Sequence, residues 1–112
     1  MIGFVMVGTN NLDKAVNFYD ILLDAIELKR VVTNEKYAGY ASKEKPEQVE
    51  FYVTNPVNKD KATFGNGTQI SFFVNSQDLV NNFYNTGIKL GGKDEGAPGI
   101  RSGDYYCYLR DL

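Results

Sequence analysis

Apolar and polar positions change period several times along the chain, and each change marks an element. Residues 2–8 are β-branched and aromatic and run into Gly8-Thr9-Asn10, which predicts a strand with a stop. Leu12, Ala15, Val16, Tyr19, Leu22 and Leu23 then recur at spacings of three and four, one apolar face of a helix. Asn10 or Asn11 is placed to cap that helix, and Asp13 falls in its first turn, where the positive end of the helix dipole favours a carboxylate. The segments 26-IELKRVVTN-34, 36-KYAGYAS-42 and 48-QVEFYVTN-55 read as three further strands, separated by Asn34-Glu35 and by the charged turn 43-KEKPE-47. The first half is therefore expected to be a βαβββ unit.

The pattern then starts again. The segment 68-TQISFFVN-75 reads as a strand, and 76–87 as a helix capped by Ser76 and stopped near Gly87. A weak strand is expected around 91–96, then a Gly/Pro loop, GAPGIRSG, then a strand over 104–110. An offset of 65 residues lays Phe18-Tyr19 on Phe83-Tyr84, Asn17 on Asn82, Asp13 on Asp78 and Asn10 on Asn75. A second echo lays Tyr37 and Tyr40 of KYAGYAS over Tyr105 and Tyr108 of DYYCYLR. The expected organisation is one α+β domain, 1–112, made of tandem βαβββ modules: a first module at 1–55, a linker at 56–67 and a second module at 68–112. The last strand of the second module is missing, because nothing equivalent to QVEFYVTN follows Arg110.

Composition narrows the chemistry. At 112 residues the chain can bury one good core. Its net charge of −2 offers no basic face, so nucleic acid is not an expected partner. No apolar run has the length of a membrane span, and MIGFVMVGTNNLDK lacks the charged start and small-residue cleavage site of a signal peptide. The single Cys107 points to a reducing, cytoplasmic setting and reads as a small buried hydrophobe. With no His in the sequence, Ser–His–Asp and Cys–His catalysis cannot be built, and the imidazole ligands of zinc, nickel or iron sites are absent.

The tandem units with N-N-L-D-x-A-x-x-F-Y after the first strand resemble the vicinal oxygen chelate superfamily, which holds the glyoxalases, bleomycin-resistance proteins and extradiol dioxygenases. FGNGTQISFFV, GGKDEGAPGIR and YLRD look like its small glyoxalase-like bacterial members. The resemblance implies two modules whose sheets form a concave surface holding the site. It also implies metal ligands at set positions in the enzymes of the family. A His on the first strand would fall on Phe4, and the His opening the second module on Gln69. The usual Glu of the fourth strand would fall on Glu50 or Tyr52, and the last ligand on a strand this sequence does not contain. These positions imply no metal and no cofactor.

If Phe4 faces the concave surface, alternation puts Met6 beside it and sends Val5 and Val7 toward the helices. Glu50, Tyr52 and Thr54 then share the concave side, as do Gln69, Ser71 and Phe73, while Val49, Phe51, Val53, Ile70, Phe72 and Val74 go to the core. A wall of Phe4, Met6, Tyr52 and Phe73 with Gln69, Ser71 and Glu50 has the make-up of a small-molecule pocket. The competing expectation is a surface filled by its own side chains or by a partner chain. Arg101 in the Gly/Pro loop is a candidate clamp for a carboxylate or phosphate, or else an exposed loop charge. Tyr106 and Tyr108 share one face of their strand, and which face lines the pocket is left open.

Three functions are therefore expected to compete. The first is a glyoxalase/bleomycin-resistance-like protein that binds a small organic molecule without metal. The second is a lyase of lactoylglutathione-lyase type with Glu50 as general base and Tyr52 and Arg101 as stabilisers. The third is an interaction module in which the exposed sheet edge makes a homodimer. Arg110-Asp111 also resembles the family's turn into the last strand, so a natural chain continuing past Leu112 is a further expectation.

Overall fold

Burial of one face per element builds the molecule around α1. A computed structural model describes residues 1–112. The elements are β1 (Val5–Gly8), α1 (Leu12–Asp24), β2 (Leu28–Thr33), β3 (Tyr37–Ser42), β4 (Val49–Thr54), α2 (Gln77–Lys89), β5 (Lys93–Arg101) and β6 (Asp104–Arg110), an α+β fold. Asn11 caps α1 by accepting from the Lys14 N–H at 3.0 Å, and its own N–H donates to the Thr9 hydroxyl. The buried stripe of α1 is Ala15, Phe18, Tyr19, Leu22 and Leu23. Phe18, three residues after Ala15, joins the face read from spacing, and its ring meets that of Tyr19 edge to face at 5.2 Å.

The sheet under α1 has the order β1-β4-β3-β2, with β1 parallel to β4 and the other pairs antiparallel. Val5 pairs with Phe51 and Val7 with Val53. These four side chains, with Ala38 and Tyr40 of β3, close the core against α1. Full burial of rings the size of Tyr40 and Phe51 stabilises by roughly 1.5–3 kcal/mol each.

The second half departs from expectation in three places. Residues 68–75 form no strand: residues 69–75 make no backbone–backbone hydrogen bond. Their side chains nonetheless alternate as in a strand, with Ile70, Phe72 and Val74 packed on the core. The helix does not stop near Gly87 but continues to Lys89 and leaves through Gly91, whose φ of +98° is open to glycine. Gly87 is needed for close approach instead, since a Cβ there would meet side-chain atoms of Leu109 and Leu22. Finally, GAPGIR is no loop. It belongs to β5, which runs antiparallel to β6 with register shifts between Asp94 and Gly96 and between Gly96 and Gly99. Bulges accommodate the missing Pro98 N–H and the glycines without ending the strand. Ser102 (φ 50°) and Gly103 (φ +88°) then make a tight two-residue hairpin turn.

Candidate functional site

Because Val5, Val7, Phe51 and Val53 point to α1, alternation turns Met6, Glu50 and Tyr52 to the opposite, open face of the four-stranded sheet. Tyr52 is the centre of that face. Its ring meets Phe4 edge to face at 5.1 Å and Tyr37 at 5.7 Å. Gly39, opposite Tyr52 across β3 and β4, makes room for it: a Cβ at Gly39 would lie 2.8 Å from Tyr52 Cε1 and 2.6 Å from Val32 Cγ1. Phe4 and Met6 remain 55% and 47% exposed, so apolar surface is open to solvent beside a packed aromatic cluster. Sequence reasoning missed Tyr37 and Gly39. The available signal was a glycine inside a strand facing an aromatic partner, which marks close approach.

At one end of this face an open, mostly polar depression of about 350 Å³ is lined by Met6, Gly8, Thr54, Pro56, Lys61 and Thr63, among others. Asn10 holds its outer wall: its Nδ2 donates to the Ala62 carbonyl at 3.0 Å, and its Oδ1 accepts from the Ala62 N–H at 2.8 Å. Thr54 is buried, and its hydroxyl donates to the Asn55 carbonyl at 2.8 Å. Glu50 is exposed and takes part in no ion pair.

The remaining sequence-derived candidates fall in two other places. Gln69, Ser71 and Phe73 face outward from 68–74; the Gln69 amide donates to Ser71 Oγ at 3.0 Å, and Phe73 is 95% exposed. Arg101 sits on β5, where its guanidinium donates to the carbonyls of Tyr106 and Ala97, each at 2.7 Å, and lies 5.3 Å from the centre of the Tyr108 ring. The bond to Tyr106 ties β5 to β6, the bond to Ala97 braces the bulged β5 itself, and the two engage part of the five N–H donors of the guanidinium. Tyr106 and Tyr108 stack at 6.1 Å on this outer face. Tyr105, Cys107 and Leu109 turn to α2: Tyr105 donates to Asn81 at 2.8 Å, and Cys107 approaches the Val80 carbonyl. The open side of β6 is therefore that of Tyr106 and Tyr108. Burial pushes the Cys107 thiol up, with the Arg101 charge acting against it.

The positions at which the resemblance would put metal ligands hold residues that do not suit metal chemistry. Phe4 is an apolar ring against Tyr52, Gln69 spends its amide on Ser71, and no three His, Cys, Asp or Glu side chains gather anywhere in the chain. One carboxylate and one amide oxygen do not fit a divalent ion.

No family model and no curated protein matches the chain. Solved structures do. The crystal structure of a glyoxalase/bleomycin resistance protein from Albidiferax ferrireducens T118 superimposes with a TM-score of 0.89 at 37% identity, covering 99% of this chain and 89% of that one. A hypothetical protein from S. aureus matches with a TM-score of 0.74 at 21% identity over 97% of this chain and 84% of its own, a likeness of fold.

Proposed function

This chain belongs to the glyoxalase/bleomycin resistance protein family, and on that premise we propose that it binds a small, largely apolar organic molecule on the open face of its four-stranded sheet, without a metal. The observation that carries the reading is the cluster of Phe4, Tyr52 and Tyr37 with Met6 exposed beside it. Aromatic edges and a thioether give a planar or apolar ligand contact area at low entropic cost, and the few polar groups nearby set orientation. Glu50 borders the face and orients a ligand from the rim; the lyase alternative would make it the general base. Gln69, Ser71 and Phe73 on 68–74 and Arg101 on β5 are further proposed contacts, for a part of the ligand that reaches beyond the cluster of Phe4, Tyr52 and Tyr37. A homodimer would cover the open face with a second copy, which the exposed Phe4 and Met6 support. No helix is long and apolar enough to cross a membrane, and the single Cys107 supports a reducing, cytoplasmic setting.

Thermal shift against a panel of metabolites and hydrophobic drugs tests the reading. A true ligand at a hundredfold excess over its Kd stabilises by about 2.7 kcal/mol. Phe4→Ala and Tyr52→Ala should abolish the shift. A flat screen, or a shift untouched by either substitution, would sink it. Turnover of a hemithioacetal substrate, lost in Glu50→Gln, would instead favour the lyase.

A further inference from the structure

The open face of the four-stranded sheet is polarised along its strands. The parallel pairing of β1 with β4 sets its side chains in rows. Phe4 stands beside Glu50 at one end, since the next residues, Val5 and Phe51, are paired. Met6 pairs with Tyr52 in the middle, and Gly8 with Thr54 at the other end. Rows on one face are two residues, about 7 Å, apart. Glu50 therefore puts a carboxylate at the Phe4 end of the face. The last row carries little bulk: Gly8 has no side chain, and the hydroxyl of buried Thr54 turns back to the Asn55 carbonyl. A molecule lying on Met6 and Tyr52 runs on past Gly8 into the polar depression, which Met6 also lines.

That depression holds a cation on a fixed backbone. Asn10 clamps Ala62 by its N–H and its carbonyl together, at 2.8 and 3.0 Å. A Cβ at Gly8 would stand 3.4 Å from that of Ala62, so the loop rests directly on the end of β1. Lys61 and Thr63 flank the clamped residue, and both line the depression. Lys61 takes part in no ion pair. The carboxylate of its neighbour Asp60 accepts instead from Asn58 Nδ2 at 3.2 Å. The face thus has an unpaired carboxylate at one end and an unpaired ammonium at the other, with the aromatic cluster between them.

We propose that this end of the site selects an anion: the ligand is an amphipathic molecule whose apolar body lies on Phe4, Met6 and Tyr52 and whose carboxylate, or like anionic group, is held at Lys61. The inference rests on the small-molecule reading and adds to it the ligand's charge and direction. The reverse orientation sets the anion against Glu50, a like charge, and leaves Lys61 unused. A lysine ammonium is a compact point charge on a flexible stem, so it selects for charge rather than for one anion geometry. The Thr63 hydroxyl offers a second donor beside it.

The probes are phenylbutyrate and its neutral amide, phenylbutyramide, which share ring and chain length. Each is titrated into the whole chain at low salt, and backbone amide chemical shifts give the two Kd values. The carboxylate should bind about three- to tenfold more tightly than the amide, and the gap should close in about 0.5 M salt. Lys61→Met should remove the preference without changing the amide's affinity, and Lys61→Arg should restore it. Lys61 is exposed and hydrogen-bonds to nothing in the chain, so neither variant threatens the fold. Phe4→Ala should weaken both probes alike. Equal affinities for the two probes, both weakened by Phe4→Ala, would overturn the anion assignment and leave the aromatic face standing as a binding site. An anion preference that survives in Lys61→Met would overturn it as well. So would the absence of binding by either probe at about 10 mM, since a ring and a carboxylate at this spacing are all that the assignment asks of a ligand.

Discussion

The ring of Tyr52 occupies the space that a side chain at Gly39 would need, 2.8 Å from where its Cβ would stand. Tyr52 in turn holds Phe4 and Tyr37 around it. Gly39→Ala should therefore push Tyr52 out of the cluster and cost about 1–3 kcal/mol, the usual range for overpacking. Denaturant unfolding gives the stability, and a ligand found by thermal shift should lose affinity in the same variant. A wild-type unfolding midpoint in Gly39→Ala would show that Tyr52 is not held there.

Tyr40 is fully buried and donates from its hydroxyl to Asp20 at 2.9 Å, and Asp20 also pairs with Arg30 at 3.1 Å. Burial first, then the bond to Asp20, raise the Tyr40 phenol well above the ordinary tyrosine value. Tyr19 is raised in the same direction by burial and by Asp111, to which it donates. The folded chain thus keeps protons that the unfolded chain releases above about pH 10. The stability tied to these phenols is fully present below that pH and should fall as pH rises past it. Tyr40→Phe should cost about 0.5–1.5 kcal/mol at neutral pH and flatten the alkaline decline. Urea melts at pH 7 and 10.5 in both proteins check the sign; an unchanged slope would contradict it.

Glu27 turns the chain from α1 into β2 with φ at 67°, the left-handed region. A non-glycine residue there costs roughly 1 kcal/mol or more. Its carboxylate lies 3.5 Å from Lys43 on an exposed surface, a contact worth little. Glu27→Gly should raise stability by about 0.5–1 kcal/mol, after the entropy of glycine is set against the relief of strain. A lower melting temperature would mean that the ion pair outweighs the strain.

Cys107 lies on the α2 side of β6, and burial raises its thiol pKa. At neutral pH the thiolate should be scarcer than in a free cysteine. Reaction with a disulfide reagent should be slow in native protein and accelerate on unfolding in urea. Cys107→Ala should leave ligand binding unchanged. Rapid native labelling at pH 7 would contradict the burial.

Local pattern determined a good part of this protein. The side chains of Asn11 and Ser76 each reach an N–H three residues on, so both helix starts were legible. The same holds for the two-residue alternation that sends Phe51, Val53, Phe72 and Val74 inward, since it follows from the pleat of the backbone itself. The absence of His bounded the chemistry before any fold was considered. Tertiary structure decided the rest. GAPGIR carries every local mark of a loop, yet pairing with β6 through two register shifts makes it strand. Residues 68–75 carry every mark of a strand, yet no neighbour completes a ladder on them. Arg101 looks free in the sequence, but folding of the hairpin brings the Ala97 and Tyr106 carbonyls to its guanidinium. The reason is common to all three. A cap or an alternation is satisfied within a few residues, whereas the hydrogen-bond partners of a strand or a guanidinium are chosen by which distant segment the core brings alongside.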